Sequence, residues 1–143
     1  MLLNYNLNRE IVRSIIMVTI FLASVLGWYL VIMGLFLIVR RNVVIAAMSN
    51  VMEQTGLLFV IAFITLIVGL MIVASHNVWV MSWPVIITII GWLALISGIV
   101  RLFCPEFIHR MWSKMADKPE LFTISGIIIV LIGLFLLFKI YFI

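Results

Sequence analysis

The sequence predicts an all-α membrane protein with four transmembrane helices, arranged as two tandem helix–interfacial helix–helix hairpins. Three observations predict it. The chain is 67% hydrophobic and 10% charged, whereas soluble domains carry about a quarter charged residues. Four apolar runs, at about residues 14–39, 57–75, 78–100 and 121–138, are each long enough to cross about 30 Å of hydrocarbon at 1.5 Å per residue. Finally, Gly27-Trp28 followed by Gly34 recurs, 64 residues on, as Gly91-Trp92 followed by Gly98. Period-two alternation is absent, so the spans read as helices and not as barrel strands. Residues 1–143 form a single membrane domain on this reading.

Residues 1–13 carry Arg9, Glu10 and Arg13 and are expected at the membrane interface. The first apolar run exceeds a signal-peptide core and lacks a small-residue cleavage site, which predicts a retained helix. It ends at Arg40 and Arg41, whose heads can snorkel to the headgroups. Its hydroxyls, Ser14, Thr19 and Ser24, are expected to bond back to their own helix. Over residues 42–55, Val44, Met48, Val51 and Met52 share one helical face. That spacing predicts an interfacial helix ended by Gly56.

The second span, with Thr65 and Gly69, leads into His76, Asn77, Trp79 and Trp83. No charged residue stands in this tight loop, which reads either as an aromatic belt or as a small polar site at the outer face. Pro84 suits the first turn of the third span, which ends at Arg101. Between 105 and 118 a second amphipathic helix is expected, opened by Pro105 and Glu106 and stopped by Pro119. Its apolar face holds Phe107, Ile108, Met111, Trp112 and Met115. Phe107, Arg110, Met111, Trp112 and Lys114 are its expected lipid contacts, the basic pair drawing on anionic headgroups. The fourth span is anchored by Lys139 and Tyr141.

Laying residues 27–73 on 91–137 without gaps matches Gly27 with Gly91, Trp28 with Trp92, Gly34 with Gly98 and Gly69 with Gly133, with the amphipathic connectors in register. This predicts two copies of one unit. Each unit has an even number of spans, so the copies are related by a pseudo-two-fold axis along the membrane normal. Glycines seven apart return to one face after two turns and form a smooth stripe for a neighbouring helix. Gly27, Trp28, Gly34, Gly69, Gly91, Trp92, Gly98 and Gly133 are therefore the expected helix-packing residues. Trp92 is expected to turn inward to a hydroxyl such as Ser97 or Thr65.

The elements His76-Asn77-x-Trp79, Trp83-Pro84, Ile87-Thr88 and Gly91-Trp92 resemble a pattern in a family of small, uncharacterised bacterial four-helix membrane proteins. The resemblance covers residues 76–98. It implies residence in a bacterial cytoplasmic (inner) membrane and brings no activity or site residues. Orientation follows from charge. Arg101, Arg110, Lys114 and Lys118 follow the third span and no Lys or Arg directly precedes it. By the positive-inside rule both connectors are cytoplasmic, with the termini and the His76 loop outside.

No Asp, Glu, Lys or Arg falls inside the four runs, which argues against an ion-coupled transporter. His76 and His109 fall on opposite sides and cannot share a metal, and Cys104 has no partner cysteine. No nucleophile–base pair, carboxylate pair or phosphate loop is present. A non-catalytic protein is expected, without catalytic residues, cofactor, metal or nucleic-acid partner. Its expected function is helix packing, oligomerisation as a homo-oligomer, or docking as a subunit of a larger membrane assembly. The alternative is a homo-oligomeric channel or facilitator for ions or small uncharged solutes.

Overall fold

In a computed structural model that describes residues 2–142, the chain forms six helices. They are α1 (Leu2–Val39), α2 (Arg41–Glu53), α3 (Thr55–Ser75), α4 (Val85–Phe103), α5 (Pro105–Ala116) and α6 (Pro119–Tyr141). Met1 and Ile143 lie outside the described residues. Helices α1, α3, α4 and α6 are long and apolar enough to cross a membrane.

Three boundaries differ from the sequence expectation. Residues from Leu2 onward join α1 instead of forming a separate interfacial segment, giving a helix of 38 residues, or about 57 Å at 1.5 Å per residue. No glycine or proline interrupts the chain before Gly27. Side chains one turn apart support the extension, with the Arg9 guanidinium 5.1 Å from the centre of the Tyr5 ring and Glu10 3.8 Å from Arg13. Gly56 does not end α2; it lies in the first turn of α3. The break falls at Gln54, whose extended backbone (φ −104, ψ 92) leaves the helical region. Pro119 opens α6 instead of stopping α5, at a position where its missing N–H costs little.

The extensive contacts run from α1 to α6 and from α3 to α4. The spans expected to form hairpins within a unit, α1 with α3 and α4 with α6, are not the ones that pack together. Each connector is a helix of 13 or 12 residues, able to carry the chain about 18–20 Å sideways. The second span of each unit is thereby set beside the first span of the other.

Both seams are antiparallel and built on small residues. A methyl group at Gly34 would stand 2.8 Å from the Gly126 carbonyl oxygen, and one at Gly133 would stand 2.8 Å from that of Gly27. Across the other seam, a methyl group at Gly98 would stand 2.8 Å from the Leu66 backbone, and one at Gly69 would meet the backbone of Ala94 and Leu95. Gly91 is opposed by the Ile72 side chain, and Ala62 is fully buried. Among lipid tails as apolar as leucine, association rests on such close backbone approach and on dispersion.

The tryptophans beside these glycines do not share the seams. Trp28 is 52% and Trp92 37% exposed, because consecutive helical residues point about 100° apart and only the glycine can face the partner. Toward the His76 loop all four spans meet, in a core of Ala23, Leu26, Ile72, Ile87 and Leu136. At the opposite end, α2 and α5 lay Val44 and Ile108 against the bundle. Phe107, Arg110, Met111 and Lys114 project away from it. Trp112, expected among the lipid contacts, instead meets Phe122 of α6 edge-on at 5.7 Å.

Candidate functional site

The backbone of α3 leaves the helical region at His76 (φ −144, ψ 91), and this turn directs the imidazole into the bundle. The ring is 2% exposed. Its Nδ1 lies 3.2 Å from Oγ1 of Thr88 on α4 and its Nε2 lies 3.1 Å from Oγ1 of Thr19 on α1. Thr88 is fully buried and Thr19 is 7% exposed. One side chain therefore fastens the α3–α4 loop to two spans at once.

One pattern of protons gives every group here a partner. The Thr88 hydroxyl lies 3.0 Å from the Val78 carbonyl oxygen and accepts from the Val78 N–H at 3.2 Å. The Val78 carbonyl has no other hydrogen-bond donor among the described residues, so the Thr88 hydroxyl is needed there. With the Thr88 hydroxyl donating to Val78, Nδ1 is the protonated ring nitrogen and donates to Thr88. Nε2 accepts from the Thr19 hydroxyl, which rotates away from the Ile15 carbonyl 2.8 Å from it. That carbonyl keeps its ordinary helical bond, so the neutral Nδ1–H tautomer leaves no buried side-chain polar atom without a partner.

Burial pushes the His76 pKa below its ordinary value near 6.5, opposed in part by the adjacent His76 backbone. The ring faces Thr19 from α1, Thr88 from α4 and the Val78 backbone from its own loop. Among the described residues no carboxylate pairs with it. A histidine whose folded pKa lies below the unfolded value gives the fold its full stability above about 6.5 and withdraws it as pH falls through the folded pKa. The melting temperature in detergent is thus expected to hold steady above pH 6.5, fall as the solution is acidified, and lose that dependence in His76→Gln.

Asn77 points outward beside this cluster. Its Oδ1 accepts from the indole N–H of Trp79 at 2.7 Å and, more loosely, from that of Trp92 at 3.5 Å. The Trp92 indole thus finds a loop amide instead of the expected Ser97 or Thr65. Trp83 lies against the core. Of the four loop residues singled out from the sequence, His76 is buried, Trp83 is half-buried, and Asn77 and Trp79 form an exposed pair.

Thr19 and Thr88 are the members of the cluster that sequence reasoning missed, as was Gly126 in the α1/α6 seam. Arg101, expected at the end of the third span, lies in the last turn of α4, where its guanidinium donates to Thr65 Oγ1 at 3.2 Å. No group of three or more potential metal ligands gathers among the described residues.

Four spanning helices, joined by short connectors and closed by a buried polar cluster at one end, make this chain an integral membrane protein. No protein-family model, curated protein or solved structure matches it.

Proposed function

We propose that this is a non-catalytic membrane protein that works by docking, to further copies of itself or to a larger membrane partner. The free half of α1 carries this reading. Residues 3–18 are all exposed, among them Ile11, Val12, Ile15, Ile16 and Met17. The glycine stripes, by contrast, are consumed by contacts inside the chain. A helix nearly twice the thickness of the hydrocarbon, with apolar side chains along its unpartnered half, suits a helix-to-helix contact with another protein.

We further propose that the chain consists of two copies of one helix–connector–helix unit around a pseudo-two-fold axis along the membrane normal. Burial supports this. The pairs Ala23/Ile87, Gly27/Gly91, Gly34/Gly98, Val44/Ile108, Leu58/Phe122, Ala62/Gly126, Gly69/Gly133 and Ile72/Leu136, each 64 residues apart, are buried at both members. The polar cluster departs from the pattern: Thr19, His76 and Thr88 correspond to Trp83, Ile140 and Ser24. The proposed orientation places the connectors in the cytoplasm and the His76 loop outside an inner membrane, on the weight of Arg101, Arg110, Lys114 and Lys118.

A pore through the single chain has little support, since the buried polar side chains are Thr19, His76 and Thr88, gathered at one end. Docking is tested with a photo-crosslinking amino acid at Ile11 in native membranes, compared with one at lipid-facing Ile127. A protein adduct above 16.4 kDa is expected from position 11 and not from 127. Absence of any protein adduct at position 11 would overturn the reading.

A further inference from the structure

Because α1 pairs with α6, and α3 with α4, the two pairs leave a cleft between them on one side of the bundle. It is lined from α1 by Val25, Leu26 and Tyr29, from α3 by Ile64, Thr65, Val68 and Ile72, and from α4 by Ile90 and Ala94. Its volume is about 390 Å³, within the range of small-molecule sites. The lining is almost wholly aliphatic and lies at bilayer depth. On α3 it extends from Ile64 to Ile72, eight residue steps and a rise of about 12 Å. These are the dimensions and the chemistry of a stretch of hydrocarbon chain.

The connector-side end of the cleft differs from the rest. Gly98 lies against Leu66, so in the antiparallel seam Arg101 of α4 sits just below the level of Ile64. Its guanidinium donates to Thr65, one of the lining residues, at 3.2 Å. The guanidinium is half-buried, and no carboxylate neutralises it among the described residues. α4 has 19 residues and so barely spans the hydrocarbon, and Arg101 lies in its last turn on the connector side, three residues before the C-cap Cys104. The positions 64 residues away from Arg101 and Thr65 are Leu37 and Ile129. The cation and the hydroxyl therefore mark one flank of the bundle and not its counterpart.

We infer that this cleft holds one acyl chain of an anionic phospholipid from the leaflet beside α2 and α5, with the phosphate on Arg101. A guanidinium offers several N–H donors in a planar fork suited to a phosphate's oxygens. One N–H is engaged by Thr65, which orients the fork, and the others remain for the headgroup. A zwitterionic lipid with identical chains would bring the same hydrocarbon with a less favourable charge. The inference does not depend on the docking role of α1, because the cleft and α1 residues 3–18 share no residue.

Native mass spectrometry of the full chain in mild detergent tests it, with phosphatidylglycerol, phosphatidylcholine of the same chains, or oleate added separately. One phosphatidylglycerol per chain is expected to be retained, with a Kd at least tenfold lower than for phosphatidylcholine. Arg101→Gln should abolish that preference while Arg101→Lys keeps part of it, and Ala94→Phe should reduce retention of both lipids. Arg110→Gln combined with Lys114→Gln should leave the preference in place, separating the cleft from general attraction to the connector surface. Equal retention of the two phospholipids by the unaltered protein, or a preference unchanged in Arg101→Gln, overturns the inference. Retention of oleate in place of phosphatidylglycerol also overturns it, in favour of a free fatty acid. Should Ala94→Phe fail to fold, the Arg101 pair decides the matter alone.

Discussion

Gly98→Leu is expected to destabilise the protein by on the order of 3 kcal/mol, the upper part of the range for overpacking. The first added carbon would meet the Leu66 Cα and N, both at 2.8 Å. These are backbone atoms, which cannot rotate away, so α3 and α4 must separate. Gly91→Leu should cost less, since its nearest obstacles are side-chain atoms of Ile72, Cγ2 at 2.6 Å and Cβ at 3.1 Å, and not the backbone of the neighbouring helix. Gly56 supplies the control within the molecule: nothing lies within 4 Å of it. There, in the first turn of a helix, Gly56→Ala is expected to be neutral or to stabilise by up to about 1 kcal/mol through the unfolded chain. Thermal unfolding in one detergent at fixed pH measures all three. If Gly98→Leu unfolds no earlier than Gly56→Ala, the glycine seam is not what joins α3 to α4.

Thr88→Val is expected to do comparable damage, at roughly 2–4 kcal/mol, although it preserves side-chain shape. It deprives three groups of a partner at once: the buried His76 Nδ1–H and the half-buried Val78 N–H and carbonyl. Each unsatisfied group costs about 1–3 kcal/mol, less whatever local relaxation recovers. His76→Leu removes a much larger polar body and yet should cost less. Both threonine hydroxyls then retain carbonyl partners, Val78 for Thr88 and Ile15 for Thr19. The order of the two variants is the decisive observation, with exposed Thr55→Val as the reference. A His76→Leu protein clearly less stable than Thr88→Val would mean that ring packing, and not the hydroxyl at its centre, holds the loop.

The four spans were legible because a run of some twenty apolar residues has few alternatives in a chain this hydrophobic. The glycine stripes were legible too, since spacing by seven places residues on one face whatever the partner. Which helix supplies that partner was not, because a repeat makes positions equivalent without saying which copy faces which. Trp28 and Trp92 misled for a local reason: adjacency to glycine in sequence is separation by about 100° on the helix surface. The partners of His76 were hidden for a different one. Thr19 lies 57 residues away, and a threonine in an apolar helix ordinarily bonds its own carbonyl, as Thr65 does to Ile61 at 2.7 Å. Only the three-dimensional return of the loop turns Thr19 and Thr88 from helix decoration into ligands of a buried ring.

The pairing of α1 with α6 also bears on how the protein is made. Helices α3 and α4 are neighbours in the chain, and their seam can close as soon as the short loop between them has been inserted. The stripe of Gly27 and Gly34, in contrast, meets Gly133 and Gly126, about a hundred residues later in the chain, so the loop to be closed is long and the contact forms late. Throughout synthesis α1 stands in the bilayer with a backbone-exposing face that other helices can occupy. Its rightful partner arrives only after α3 and α4 have been made, and a chain arrested before α6 leaves that face permanently open.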